Sequence, residues 1–344
     1  MARSLVTGGA GFIGSHVARH CIEHEGHQVV VLDDLSGGFR DQVPAGAVFV
    51  QGSVTDGELV ERLFQEYRFD YVYHLAAYAA EGLSHFIRHF NYTNNVLGSI
   101  NLINASVRHE VKCFVFTSSI AVYGSAPPPV SEETNPRPED PYGIAKFAVE
   151  LDLRAAHQMF GLPYIIFRPH NVYGEHQNLG DRYRNVIGIF MNQIMQDKPL
   201  TVFGDGSQTR AFSYIDDVAP HIAESPGIPE ARGQVINIGA DQPYSIKELA
   251  RVIGQVFGKN PQVNYLPPRL EVQHAFAQHH KAKSLFGYQG SVELERGIEK
   301  MAAWAQKTGV RQSRPFKNIE ILKNMPPSWN EGGQAVQRPD HGSR

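Results

Sequence analysis

The chain has 344 residues, 42% of them hydrophobic, with a formal net charge of −3. That length accommodates one large α/β core with a smaller second lobe, and the near-balanced charge gives no electrostatic footprint for nucleic acid or an anionic membrane. Two cysteines without Cys-x-x-Cys spacing, Cys21 and Cys113, exclude a disulfide framework, and no uncharged apolar run is long enough to span a bilayer, so two buried thiols in a cytoplasmic protein are expected.

The first strand, Ser4-Leu5-Val6, begins almost at Met1 and leaves no room for a signal peptide. It runs into Thr7-Gly8-Gly9-Ala10-Gly11-Phe12-Ile13-Gly14-Ser15-His16, a glycine turn that opens a helix. Glycines there let a pyrophosphate approach the backbone, and the helix offers unpaired N–H groups and a positive dipole end. The next strand, Val29–Leu32, ends at Asp33, about twenty residues beyond the glycines, where a carboxylate can bind an adenosine ribose and repel a 2′-phosphate. Strand, glycine turn, helix, strand and acid in that order predict a Rossmann unit binding NAD.

Further alternation predicts strands at 48–50, 70–75, 112–116 and 164–167, and helices at 58–67, 94–108 and 142–160. The expected architecture is α/β, a Rossmann doubly wound sheet of six parallel strands over residues 1–172, with 211–225 returning to it. Residues 173–325 are expected to form mainly a smaller C-terminal substrate-binding lobe, with helices near 186–195, 246–257 and 292–308. The stretch 326–344, rich in Pro, Gly, Gln and Arg, reads as a mobile tail. In such sheets ligands collect beyond the carboxyl ends of the strands.

Tyr142 and Lys146 lie one helical turn apart on one face, with Asp140 as N-cap and Pro141 at the first helical position. A phenol of pKa about 10 needs stabilisation of its phenolate to act as a base near neutrality. Lys146, with the charge of an oxidised nicotinamide, is the expected source.

With these motifs the chain resembles the extended short-chain dehydrogenase/reductase family, and within it the NAD-dependent nucleotide-sugar epimerases and dehydratases, the UDP-glucose 4-epimerase type most of all. The likeness spans the glycine turn, Asp33-Asp34-Leu35, His74-Leu75-Ala76-Ala77, Asn94-Asn95-Val96-Leu97-Gly98, Ser118-Ser119-Ile120-Ala121-Val122-Tyr123-Gly124, Pro141–Lys146, Arg168-Pro169-His170-Asn171-Val172-Tyr173-Gly174 and Phe203–Arg210. The resemblance implies a catalytic trio of Ser119, Tyr142 and Lys146. It places cofactor contacts at Gly8, Gly11, Phe12, Ile13, Gly14, Asp33, Asp34 and Ser36, at Ser53, Val54, Leu75, Ala76 and Ala77, and at Asn95 besides Tyr142 and Lys146. Substrate contacts are expected at Glu81, Ser119, Asn171, Asn185, Val186, Arg210 and Arg269, with Asn171 and Arg210 at the diphosphate.

The implied reaction removes the sugar's 4-hydroxyl proton to Tyr142 and its C4 hydrogen to NAD, then returns the hydrogen to the other face of a 4-keto sugar. Dehydratases of the family carry an Asp-Glu pair beside the catalytic hydroxyl residue, whereas Ile120 and Ala121 stand here, which favours 4-epimerisation. Glu81 keeps elimination or another epimerisation open as an extra acid or base, against a plain solvated or sugar-binding role. A catalytically idle NAD-binding regulator is the third reading. The partner is a nucleotide-diphosphate sugar, by family frequency UDP-glucose/UDP-galactose.

Several segments depart from the family pattern: Arg269-Leu270-Glu271, Gln278-His279-His280-Lys281, and Ala211 where an Asp often follows the arginine. Arg182 and Arg184 fit either a diphosphate or sugar carboxylate, or a surface charge cluster. His16, His20 and His24, and likewise His85 and His89, have helical spacing but no third-ligand motif, so no metal site is expected. Ile100, Ile103 and Val107, with Phe147–Leu153, read as core or as the helix pair of the homodimer that the resemblance implies.

Overall fold

Seven short apolar runs pair into one parallel sheet, and their side-chain alternation divides the core into two layers. The computed structural model describes residues 1–269, 271–288, 292–312 and 316–329. In chain order the strands are β1 (Arg3–Thr7), β2 (Gln28–Asp33), β3 (Val48–Gln51), β4 (Tyr71–His74), β5 (Cys113–Thr117) and β6 (Tyr164–Pro169), joined by a seventh at Val235–Ile238. They lie in the order β3, β2, β1, β4, β5, β6, seventh, so the order reverses between β1 and β4. There Thr7 sits beside Leu32 on one side and His74 on the other.

Leu5, Val30, Val72, Phe114 and Ile166 face one buried layer, while Val6, Val31, Tyr73, Val115 and Ile165 face the other. A sheet covered on both faces needs apolar residues at nearly every strand position, as these runs supply. Helices α1 (Phe12–Glu23), α2 (Gly57–Tyr67), α3 (Glu81–Ser84), α4 (Arg88–Tyr92), α5 (Gly98–Arg108) and α6 (Pro141–Phe160) accompany the first six strands. Asp140 caps α6 by accepting from the Gly143 N–H at 3.0 Å, and Gly161, at φ 74°, ends it. The helix expected from 94 starts earlier: α4 passes through a π turn at Thr93–Leu97 into α5.

The seventh strand lies inside the stretch assigned to the second lobe and was not expected. Asn237 interrupts its apolar run; Tyr123 donates to its Oδ1 at 2.8 Å and its backbone N–H donates to Glu132 at 2.8 Å, while its buried Nδ2 has no partner among the described residues. Residues 213–224 lie against the larger lobe, with Ser213–Tyr214 pairing with Val172–Tyr173 and the Tyr73 hydroxyl donating to Ala223 O at 2.7 Å. The stretch expected to form the substrate-binding lobe contains helices at Val186–Met195, Ile246–Val256 and Leu294–Thr308, the second opened by a capping box of Ser245 and Glu248.

Pro327–Trp329 form a 3-10 turn rather than a loose tail. Trp329 and Met325 are buried against Ala80, Leu83 and Ile87, with Phe316, Ile319 and Tyr183 alongside, because aromatic burial outweighs the polar composition around it. The rest of the expected tail, 330–344, lies outside the described residues. Cys21 and Cys113 are buried free thiols. Ile103 is core, and Ile100 and Val107 pack partly against the same layer. The exposed apolar side chains on this face are Leu97, Ile144 and Leu151, at 58%, 40% and 48% exposure. Among the described residues no helix is long and apolar enough to cross a membrane.

Candidate active site

One cleft runs from the glycine turn, past the start of α6, to the smaller lobe. Its floor begins where the strand order reverses. Gly8 has φ +70° and donates its N–H to Leu32 O at 2.9 Å, and a Cβ there would stand 2.8 Å from the Ala76 nitrogen, so only glycine lets β1 turn this close to the end of β4. Gly11, the N-cap of α1, has no side-chain cap, which leaves the helix's first N–H groups facing the cleft. At the end of β2, Asp33 accepts from the Ala10 N–H at 3.0 Å and the Leu35 N–H at 2.8 Å, and burial raises its pKa. Phe12, Ile13, Gly14, Asp34, Ser36, Ser53, Val54, Leu75, Ala76 and Ala77 line the same half.

Asn95 departs from expectation. It is buried outside the lining, accepting from the Tyr78 N–H at 3.0 Å and donating to Asn91 Oδ1 at 2.8 Å. Its amide therefore holds the loop after β4 in place, and its neighbour Asn94 faces the cleft. The π turn rotates this segment relative to a regular helix, which sequence spacing alone does not reveal.

Ser119, Tyr142 and Lys146 meet at the cleft's centre. Lys146 is buried; its ammonium donates to Thr117 O at 2.7 Å and lies 5.9 Å from the centre of the Tyr142 ring. Burial pushes Lys146 down to about 7, with the Glu150 carboxylate opposing the shift. The Tyr142 phenol is pushed above the usual tyrosine range by burial and then by the Glu81 carboxylate, while Ser119 and the Arg184 guanidinium act in the opposite direction. The sequence reading joins Lys146 to the charge of an oxidised nicotinamide as the source of a lowered phenol, and the protein's own groups by themselves raise it. The protein's own groups leave Tyr142 protonated, so lowering it needs the additional positive charge of an oxidised nicotinamide.

Behind Lys146 lies a charge pair that the motifs did not announce. Glu150, one turn along α6, receives the Arg168 guanidinium through Nε at 2.9 Å and Nη2 at 2.5 Å and the Ser118 hydroxyl at 2.6 Å. Both charges are sealed, at 0% and 1% exposure. The i+4 spacing of Glu150 from Lys146 was the available signal.

The far half of the cleft is built from loops. Asn171 (φ +43°) and Asn185 (φ +57°) line it with Val186, and Asn185 donates to Val172 O at 2.6 Å. Arg210 also lines it, held by the carbonyls of Val272 at 2.6 Å and Gln273 at 2.9 Å. Arg269 pairs with Glu271 at 3.0 Å and lies over the Phe203 ring at 4.5 Å. Arg184 faces the cleft, bonded through Nε to Asp181 at 2.7 Å and lying over the Tyr78 ring at 4.7 Å. Tyr78, Asp181 and Asp140 are lining residues that the motifs missed. Of the histidines, His85 lines the cleft, whereas His16 bonds the Glu175 carbonyl at 3.1 Å and His20 pairs with Glu224 at 2.9 Å away from it.

A family model described as the NAD dependent epimerase/dehydratase family matches residues 4–239. The chain is 34% identical to a putative UDP-glucose 4-epimerase of Methanocaldococcus jannaschii over 87% of its own length and 97% of that protein. It is similar to the crystal structure of a Thermotoga maritima UDP-glucose 4-epimerase with UDP-glucose, with a TM-score of 0.85 and 34% identity over 89% of this chain and 99% of the other. A Bacillus cereus UDP-glucuronic acid 4-epimerase, solved with UDP-glucuronic acid and NAD, matches with a TM-score of 0.82 and 30% identity over 89% and 100% of the two chains.

Proposed function

The chain belongs to the NAD-dependent epimerase/dehydratase family and NAD is its cofactor, and from that premise we propose that it inverts C4 of a UDP-linked hexose of the glucose/galactose type. The observation that carries this reading is the convergence of Ser119, Tyr142 and Lys146 on one cleft, with Ile120 and Ala121 beside Ser119 offering no proton-transfer group for elimination. The glycine cradle fits the cofactor. Gly8, Gly11 and Gly14 leave the backbone bare at the N-terminus of α1 for a pyrophosphate, and Asp33 presents a carboxylate for the adenosine ribose.

When bound, NAD supplies the acceptor for the hydrogen leaving C4 and the donor that returns it. Tyr142 takes the proton from the 4-hydroxyl and later gives it back to the same oxygen. Ser119 orients that oxygen. Lys146, fixed by the Thr117 carbonyl, adds positive charge near the phenol in its protonated form. Arg210, already directed by two backbone carbonyls, grips the diphosphate while Asn171 and Asn185 border it. The diphosphate stays anchored while the 4-keto sugar turns to present its other face. Leu97, Ile144 and Leu151, exposed apolar side chains on the helices after β4 and β5, are candidates for contact with a second copy.

Incubating the purified protein with UDP-glucose, UDP-N-acetylglucosamine and UDP-glucuronic acid, and reading product mass and sugar configuration, tests the reading. A stereoisomer of unchanged mass at C4, without external NADH, is the expected result; loss of water would replace it with a dehydratase.

A further inference from the structure

The sugar half of the cleft contains several charges, and nearly all of them are committed. Asp140 caps α6, Asp181 holds Arg184, and Glu271 holds Arg269 with Arg210 3.9 Å away. On the cofactor side Asp33 and Asp34 accept backbone N–H groups, and Glu139 accepts from Ser125. Among the described residues lining the cleft, Glu81 is the carboxylate that makes neither a hydrogen bond nor an ion pair.

Its position is fixed. The Glu81 carbonyl accepts from the Ser84 hydroxyl at 2.6 Å, Ala80 and Leu83 on either side are buried, and a Cβ on Gly82 would stand 3.3 Å from the Trp329 ring. The side chain opens into the cleft, and the charges that act on it come from both walls: Asp140 on one, and Arg210, Arg269 and Glu271 on the other. It also acts on the Tyr142 phenol. Glu81 thus lines the same cleft as the proton-transfer group and the cations assigned to the diphosphate, with its carboxylate uncommitted.

Resting on the nucleotide-sugar reading above, we propose that Glu81 is a specificity-determining residue that accepts hydrogen bonds from hydroxyl or acylamino groups of an uncharged hexose and excludes hexuronates. A sugar carboxylate would meet a like charge there, and among the described residues lining the cleft each arginine is already engaged: Arg184 is paired with Asp181, and Arg210 and Arg269 are shared between Glu271 and the diphosphate, while Lys146 is turned to the Thr117 carbonyl. The Glu81 carboxyl is pushed up to about 7, by burial first and Asp140 second, so the ionised form predominates at about pH 8.

The test is calorimetric binding of UDP, UDP-glucose, UDP-N-acetylglucosamine and UDP-glucuronic acid to the NAD-loaded full chain at about pH 8, for wild type and Glu81→Gln. UDP-glucuronic acid is expected to bind wild type roughly tenfold or more weakly than UDP-glucose, and Glu81→Gln to close most of that gap while UDP itself binds both proteins alike. Equal binding of the two sugars by wild type, or a gap that Glu81→Gln leaves intact, overturns the proposal alone. If neither UDP nor any UDP-sugar binds, the epimerase reading falls and takes the proposal with it. Turnover recorded in parallel distinguishes a lost C4 inversion from a lost sugar preference.

Discussion

On the cofactor wall, Gly8 lies against Ala76 and Asp33 is fixed by two backbone N–H groups, and most of the apparatus comes from one strand–helix–strand unit. On the sugar wall, Glu81, Asp181, Arg184, Arg210, Arg269 and Glu271 arrive from four separate stretches and are fixed largely by one another and by carbonyls. The first wall works through bare backbone and close approach, so a single added methyl group defeats it. The second works through paired charges, so removing one partner changes which ligand is welcome more than whether the chain folds. Tyr142 stands at the seam between them.

Breaking the seam should have the largest effect. Tyr142→Phe is expected to lower C4 inversion by roughly a hundredfold to ten-thousandfold, the range for removal of a general acid–base group, with NAD still released from the denatured protein in its usual amount. Gly8→Ala attacks the cofactor wall, where positive φ and the 2.8 Å approach to the Ala76 nitrogen leave no space. Chromatography of the denatured variant should show bound NAD largely lost, and the sugar wall should not compensate.

Next in size is the pair beneath the seam. Glu150→Gln strands a buried guanidinium and should cost about 3–5 kcal/mol, read as a lower midpoint in chemical denaturation, whereas replacing Glu150 and Arg168 together with Met should recover much of it. On the sugar wall, Arg210→Ala should raise KM for the nucleotide sugar about tenfold or more with NAD content unchanged, because a charge-assisted contact contributes roughly 1.5–3 kcal/mol.

The smallest effect concerns pH. Glu81 is raised from about 4.5 to about 7, so between those values the folded chain holds more protons than the unfolded one and stability falls as pH rises, by an amount that solvent screening of this cleft-exposed side chain keeps small. Wild type should therefore lose Tm relative to Glu81→Gln on going from about pH 5 to about pH 8; parallel curves would show that the carboxyl is not so enclosed.

The same contrast explains what could be read from the sequence. Gly8–Gly14, Asp33 and Tyr142–Lys146 were legible because their function depends on local spacing: a turn, a strand end, one helical turn. Six strands were legible as apolar runs, and the seventh was not, because the buried Asn237 breaks its run and the Tyr123 hydroxyl that bonds its Oδ1 comes from far away in the sequence. Asn95 carried the right motif and yet turned inward, one residue from Asn94, through a π turn. The neutralisation of Arg184 by Asp181, only three residues apart, was open to inspection, but that the pair faces the cleft is a tertiary fact. The spacing of Tyr142 and Lys146 gives proximity without direction, and that the ammonium is turned to the Thr117 carbonyl is a tertiary fact.

The contact between Trp329 and Gly82 affects the order in which the protein becomes competent during synthesis. The glycine cradle and the end of β4 emerge from the ribosome early and can begin to assemble while translation continues. The short helix that begins at Glu81 acquires its indole backing only when residue 329 has been made, so this part of the cleft wall is completed after the glycine cradle.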